Sequence, residues 1–263
     1  MKLLRLLDSS VGQKVIAGAT GIGLVGFLVI HMAGNLQVFA GADALNDYAE
    51  LLKSSTAILW TARPGLLGLI VLHIAMTTRQ VYRNRNEKRQ KYAKQAFRRT
   101  TRASRSMMLT GTLLLAFLIF HLLHFTVGAI LPEAASRTDA SGRPDVFAMV
   151  VAGFRNPLIV AVYVAGMLSL SGHLKHAISS ALQTLGMVKE GRNSPLRKAS
   201  PWLAAGIIIG FLVVPISVAT GIVGGDRPNS PDDSVLQQSE EQRGEHDVTK
   251  DAPAKNTPAR NNV

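Results

Sequence analysis

Five stretches of this chain carry no formal charge: residues 15–36, 64–78, 107–131, 157–174 and 201–225. About 20 helical residues, rising roughly 1.5 Å each, cross the apolar core of a bilayer, so these stretches constrain the fold more than any other feature. A backbone in hydrocarbon must satisfy its own polar groups, and outside a closed barrel only a helix does so. The chain is therefore expected to be an all-α membrane protein with five transmembrane helices. The second stretch is the least regular, with 15 residues bounded by Arg63 and Arg79. Snorkelling arginines, and the uncharged residues 54–62 before it, can extend it. The fourth continues past Lys175 to Leu185, and Pro215 predicts a kink in the fifth.

The overall hydrophobic content of 47% is ordinary for a soluble protein, so it is the clumping that decides. The 263 residues include no cysteine, which rules out disulfides, zinc–thiolate sites, iron–sulfur clusters and covalently attached c-type haem held by this chain's own residues. A net charge of +12 first suggests nucleic acid, yet 11 basic residues lie between Arg79 and Arg105 with Glu87 alone opposing them. A basic block between two apolar spans reads as a cytoplasmic loop, and no nucleic-acid partner is expected. Lys2, Arg5 and Lys14 precede the first span, and Lys189, Arg192, Arg197 and Lys198 separate the fourth from the fifth, while loops 38–62 and 132–156 are mixed or acidic. The positive-inside rule then puts the N-terminus in the cytoplasm and the C-terminus outside, for a multi-pass protein of the inner (cytoplasmic) membrane. Lys2 and Arg5 before an apolar run also open a secretory signal peptide, but this run is longer than the usual apolar region and has no clear small-residue exit. It reads as a mature helix. Residues 1–225 form the transmembrane domain, and residues 226–263, rich in Asp, Glu, Gln, Asn and Pro, are expected to be a disordered polar tail.

Six of the seven histidines, His31, His73, His121, His124, His173 and His176, fall in the apolar segments. A polar ring there is costly and marks a site more often than not, although a single one can be a side chain hydrogen-bonded between helices. Their depths offer a common explanation. With span midpoints near residues 26, 70, 119 and 168 and the direction reversed at each crossing, His31 and His121 fall outside the midplane and His73 and His173 inside it. Four antiparallel helices thus present one histidine each in two layers, as two stacked haems with paired imidazole ligands require. Nearby small residues, among them Gly34, Gly68, Ala75, Gly128, Gly172 and Ala177, leave room for a porphyrin but equally suit plain helix packing. His124 and His176 each lie three residues beyond a ligand candidate, on the same broad face. Either can serve as the ligand instead, or bind a propionate or a quinone oxygen.

Four sequence pieces point further: His31-Met-Ala-Gly-Asn-Leu36, Ala62-Arg63-Pro-Gly-Leu-Leu67 leading to His73, Ser104-Arg105-Ser-Met107 leading to His121-Leu-Leu-His-Phe125, and His173-Leu-Lys-His176 followed by Ala181-Leu-Gln-Thr-Leu-Gly186. Over about residues 10–225 the chain resembles the membrane cytochrome b subunit of succinate dehydrogenase and fumarate reductase, of the single-subunit, five-helix, two-haem type. The resemblance implies two haem b groups, with His31 and His121 ligating the outer, distal one and His73 and His173 the inner, proximal one. It also implies a flavoprotein subunit with covalent FAD and an iron–sulfur subunit, both docked on the cytoplasmic face, with the assembled complex open to further oligomerisation. Electron transport would run from succinate through the clusters and both haems to quinone, or in reverse to fumarate. Some members carry a carboxylate within helix four that is linked to proton movement; residues 157–185 here contain no Asp or Glu, which leaves that route without its residue.

Arg63, at the outer entrance of the second span, is a candidate partner for a distal haem propionate, since a guanidinium pairs with both oxygens of a carboxylate; it can equally be a snorkelling arginine. Arg102 and Arg105 mirror it at the inner start of the third span, where a solvated basic face is the simpler account. Glu50 is a candidate for quinone proton exchange near the distal haem, set against an amphipathic surface helix over 44–53 on which Asp43, Asp47 and Glu50 are ordinary solvated charges. Two other functions compete. One is a dihaem cytochrome b of a different quinone-linked oxidoreductase, disfavoured because such proteins concentrate their ligands on fewer helices. The other is a non-redox transporter with a histidine relay, disfavoured because the spans carry no carboxylate and no repeat. The chain has no cysteine for clusters, so succinate chemistry is expected to reside in the partner subunits.

Overall fold

A computed structural model describes residues 9–86, 106–188 and 194–225. The chain opens with α1 (Ser10–Asn35), started by the Ser9 hydroxyl accepting from the Gly12 N–H at 2.9 Å, which satisfies one of the free N–H groups of the first turn. A 3-10 turn (Leu36–Ala40) follows. Gly41, at φ 104°, then reverses the chain into α2 (Ala42–Ser54), a conformation open to glycine because it has no Cβ. After α3 (Thr56–Asn86) come α4 (Met107–His121), which runs into a π-helical turn (Leu122–Thr126), the short α5 (Pro132–Ala135), α6 (Val146–Arg155), α7 (Pro157–Thr184) and α8 (Pro195–Ala219). The described residues contain helices and no strand, only an isolated bridge between Thr138 and Pro144. Five helices, α1, α3, α4, α7 and α8, are long and apolar enough to cross a membrane.

α7 is the central helix. Ile159, Tyr163, Met167, Leu170, Leu174, Ile178 and Leu182 are buried along it at steps of three and four residues, the spacing of one helical face. α8 packs on that face through Ala204, Ile207, Ile208, Val214 and Val218, and α1 and α4 pack on α7 as well. α3 packs chiefly on α1. Lipid tails are as apolar as these side chains, so van der Waals fit rather than the hydrophobic effect holds such contacts together. Burial is uneven: the most apolar windows of α7 and α8 are 33% and 39% buried, those of α3 and α4 only 6% each. α3 closes on neither α4 nor α7 at backbone level.

The element boundaries correct several expectations. The second span lies inside a 31-residue helix, the extension that the uncharged residues 54–62 allow, and the helix continues through Pro64. The candidate span there is Leu59–Arg83, so Arg63 lies within the helix rather than at its entrance. The third span stops near residue 126 instead of 131: Gly128 turns at φ 74°, and a Cβ there would meet the Ala135 Cβ at 2.6 Å. The fifth begins six residues early, with Pro195 in its first turn, where its missing N–H costs nothing. α6 has no counterpart in the sequence reading; the Asp145 side chain caps it by accepting from the Ala148 N–H at 2.9 Å.

α2 covers the end of the bundle nearest His31, and an ion-pair lattice ties it to the 136–146 loop. Arg143 bonds Asp139 at 2.8 Å, Asp43 at 3.1 Å and also Asp47. The buried Asn46 donates to Asp139 and Asp145 and accepts from the Phe147 N–H at 3.0 Å. The surface helix expected over 44–53 is present, but Asp43 and Asp47 hold Arg143 rather than standing as free solvated charges. The C-terminal tail, Lys2, Arg5, Arg102, Arg105, Lys189 and Arg192 lie outside the described residues.

Candidate functional site: two pairs of histidines

His31 of α1 and His121 of α4 meet ring to ring, and His73 of α3 and His173 of α7 form a second, looser couple. In the first layer His31 of α1 and His121 of α4 have ring centroids 5.8 Å apart and planes at 81°. Phe27 stacks on His31 at 5.4 Å, and Phe211 of α8 closes its other flank at 5.8 Å. In the second layer His73 of α3 and His173 of α7 lie within electrostatic reach of one another.

The second layer is held by threonines. His73 Nδ1 sits 3.1 Å from the Ala17 carbonyl and 3.2 Å from Thr20 Oγ1 of α1. A carbonyl can only accept, so this Nδ1 carries the hydrogen and Nε2 keeps its lone pair. His173 Nδ1 lies 3.3 Å from Thr110 Oγ1 of α4. The Thr110 hydroxyl also lies within reach of the backbone carbonyls of Ser106 (3.1 Å) and Met107 (3.2 Å), and when it donates to either its oxygen accepts from the imidazole. Gly21 and Gly111 follow the two threonines, and each lies against the Cε1 of the same ring: a Cβ on Gly21 would stand 3.3 Å from His73, one on Gly111 3.6 Å from His173.

The first layer is held differently. The Tyr163 hydroxyl of α7 lies 3.2 Å from His121 Nδ1 and 3.0 Å from His124 Nδ1. The π turn places both rings on the same partner, inside a shell of Phe117, Phe120, Phe125 and Phe154. One phenol donates once, so at most one of the two imidazoles accepts from Tyr163. His124 is 1% exposed and packs against Gly153; its Nε2 has no hydrogen-bond partner among the described residues. His124 thus sits behind His121. His176 is half-buried, three residues beyond His173, and its ring makes no hydrogen bond among the described residues. Glu50 on α2 and Arg63 on α3 are exposed.

Thr20, Thr110 and Tyr163 were passed over in the sequence, and the expectation of no repeat needs correcting with them. Residues 20–31 and 110–121 align without a gap and agree at six positions: Thr20/Thr110, Gly21/Gly111, Leu24/Leu114, Phe27/Phe117, Leu28/Leu118 and His31/His121. Each copy carries the histidine of one layer at its end and, eleven residues earlier, the hydroxyl that holds a histidine of the other layer.

The donor set fits haem. The histidines come together in twos, and no group of three His, Asp or Glu suited to a bare ion occurs among the described residues. Haem iron takes four nitrogens from its porphyrin and needs just two from the protein. Two imidazoles bonded at about 2 Å on opposite sides of one metal put their centroids roughly 6 Å apart, against 5.8 Å for His31 and His121. Compared with known proteins, the chain matches no family model, no curated protein and no solved structure.

Proposed function

We propose that this chain is the cytochrome b subunit and membrane anchor of a succinate:quinone oxidoreductase, the succinate dehydrogenase or fumarate reductase of respiratory complex II. The observation that supports it best is the meeting of four histidines from four helices as two pairs, each offering ring nitrogens to one metal and no more. Two b haems, when bound, would supply an electron path between a cytoplasmic iron–sulfur subunit and quinone in the membrane. His31 and His121 would hold one, and His73 and His173 the other. The tautomer argument favours this assignment for His73, because its Nδ1 carries the hydrogen and Nε2 is left to ligate. His124, enclosed behind His121, orients Tyr163 rather than ligating.

The chain's other residues take supporting roles. The basic loop between Arg79 and Arg105 faces the cytoplasm and draws the iron–sulfur and flavoprotein subunits, which bring the clusters and FAD. Quinone is met at the opposite end, beside the His31–His121 layer, where the exposed Glu50 exchanges protons and the exposed Arg63 lies near a carboxylate or a quinone oxygen. The protein resides in the inner membrane with its N-terminus in the cytoplasm.

A pyridine haemochrome assay on the purified chain tests this. Two haems per polypeptide are expected; one or none overturns the assignment. The isolated chain is expected to show no succinate turnover with an artificial acceptor. In the assembled complex, Glu50→Gln is expected to lower quinone-linked turnover while haem content and dye-linked succinate oxidation stay unchanged.

A further inference from the structure

We infer that the two Thr-Gly pairs, Thr20-Gly21 and Thr110-Gly111, are a duplicated imidazole holder that fixes the tautomer and ring position of His73 and His173 and thereby tunes one haem of the two. The inference rests on the two-haem reading above and deepens it, naming positioning residues that act through the ligands rather than touching the metal.

Three observations converge. The hydroxyl of each threonine lies within hydrogen-bond distance of carbonyls of its own helix, Ile16 (2.8 Å) and Ala17 (3.1 Å) for Thr20, and Ser106 (3.1 Å) and Met107 (3.2 Å) for Thr110. Each also faces an imidazole Nδ1: Thr20 accepts at 3.2 Å from His73, whose Nδ1 the Ala17 carbonyl makes a donor, and Thr110 stands in the same position 3.3 Å from His173. Each glycine leaves the space that the same imidazole occupies, with its Cε1 within 3.6 Å of where a Cβ would stand. The arrangement occurs twice, within hairpin α1–α3 and within hairpin α4–α7, from the same Thr-Gly sequence at the same distance ahead of His31 and His121. The consequence is a crossing of roles: α1 and α4 give their histidines to one layer and their threonines to the other.

An Nδ1–H donated to oxygen makes the opposite nitrogen a stronger base, which favours the oxidised metal and lowers its potential. The two holders are not equal. His73 keeps the Ala17 carbonyl if Thr20 is lost, whereas among the described residues His173 Nδ1 has Thr110 alone.

The test is a redox titration, with low-temperature electron paramagnetic resonance, of the purified full chain and of Thr110→Val, Thr20→Val and Thr110→Ser. Valine keeps the shape and removes the hydroxyl. Thr110→Val is expected to raise the potential of one haem and alter its low-spin signal, leaving the other haem untouched. Thr20→Val is expected to shift that same haem in the same direction by less, and Thr110→Ser to restore the wild-type values. If Thr110→Val loses that haem altogether, retention by Thr110→Ser supports the holder, and loss in both variants overturns it. The holder is also overturned if the two valine variants act on different haems, or if neither shifts a potential or a signal. A wild-type chain without haem overturns the two-haem reading itself, so the two failures are distinguishable.

Discussion

The two histidine layers are built from the same four helices, yet their hydrogen bonding is opposite in kind. The His73–His173 layer leans on a backbone carbonyl and two threonine hydroxyls, one oxygen partner or more for each ring. The Ala17 carbonyl fixes the tautomer of His73. The His31–His121 layer leans on a single phenol that must serve two imidazoles, His121 and His124, with a buried ring nitrogen left over. An unpartnered buried polar atom costs about 1–3 kcal/mol, which surrounding packing has to offset. The first arrangement gives a defined donor. The second gives a site whose hydrogen positions can rearrange, as suits the end of the protein where quinone is proposed to gain or lose protons.

The largest expected effect breaks the layering itself. His73→Ala and His173→Ala should each remove one and the same haem spectral component, and His31→Ala and His121→Ala the other, as read in reduced-minus-oxidised spectra. Loss of the same component from His73→Ala and His121→Ala would show that the pairing is wrong.

Next comes the shared phenol. Tyr163→Phe leaves two buried Nδ1 atoms without their partner and should destabilise the protein by roughly 1–3 kcal/mol, seen as a lower midpoint in thermal unfolding in detergent. His124→Leu removes a buried nitrogen that already lacks a partner, so it should cost less than Tyr163→Phe. Both should perturb the haem of His31 and His121 and spare the other. Equal perturbation of both haems would mean that Tyr163 supports the bundle rather than one layer.

A smaller effect lies at the covering end. Arg143→Gln leaves Asp139 and Asn46 to each other, and exposed ion pairs contribute about 0–1 kcal/mol. Asp43 and Asp47, whose side chains are 93% and 65% exposed, carry little of that, so the loss should follow the mostly buried Asp139. Hydrogen exchange should quicken in α2 and the 136–146 loop and stay unchanged in α7; an unchanged α2 would show that Asn46 alone secures it.

The legible part of this molecule was what charge excludes. Runs without Lys, Arg, Asp or Glu located all five apolar helices, and helix rise set His31 beside His121, whose rings lie 5.8 Å apart. What stayed hidden depends on which way a helix faces. Tyr163 falls in a run of apolar residues at helical spacing and reads as ordinary core; only the π turn at Leu122–Thr126 brings His121 and His124 to its hydroxyl. Arg143 meets Asp43 and Asp47 across about a hundred residues, with no local pattern to announce it. The Thr-Gly repeat was present in the letters, but threonine inside a helix usually bonds its own backbone, and its second partner emerges once α3 and α7 are in place.

The finest test asks how alike the two copies of that repeat are. A methyl group on Gly21 would stand 3.3 Å from His73 Cε1, closer than ordinary contact, while one on Gly111 would stand 3.6 Å from His173 Cε1, within it. Both substitutions replace glycine by the best helix former, worth up to about 1 kcal/mol in a helix interior. Gly111→Ala should therefore leave the resonance signal of that haem unchanged and raise thermal stability slightly. Gly21→Ala should push the His73 ring by a few tenths of an ångström against two hydrogen bonds that resist it, shifting the same signal and forfeiting part of the helix gain. The reverse order would mean that the His173 ring, with its single hydrogen bond, is the more tightly confined of the two, and that confinement comes from packing rather than from the oxygens around Nδ1.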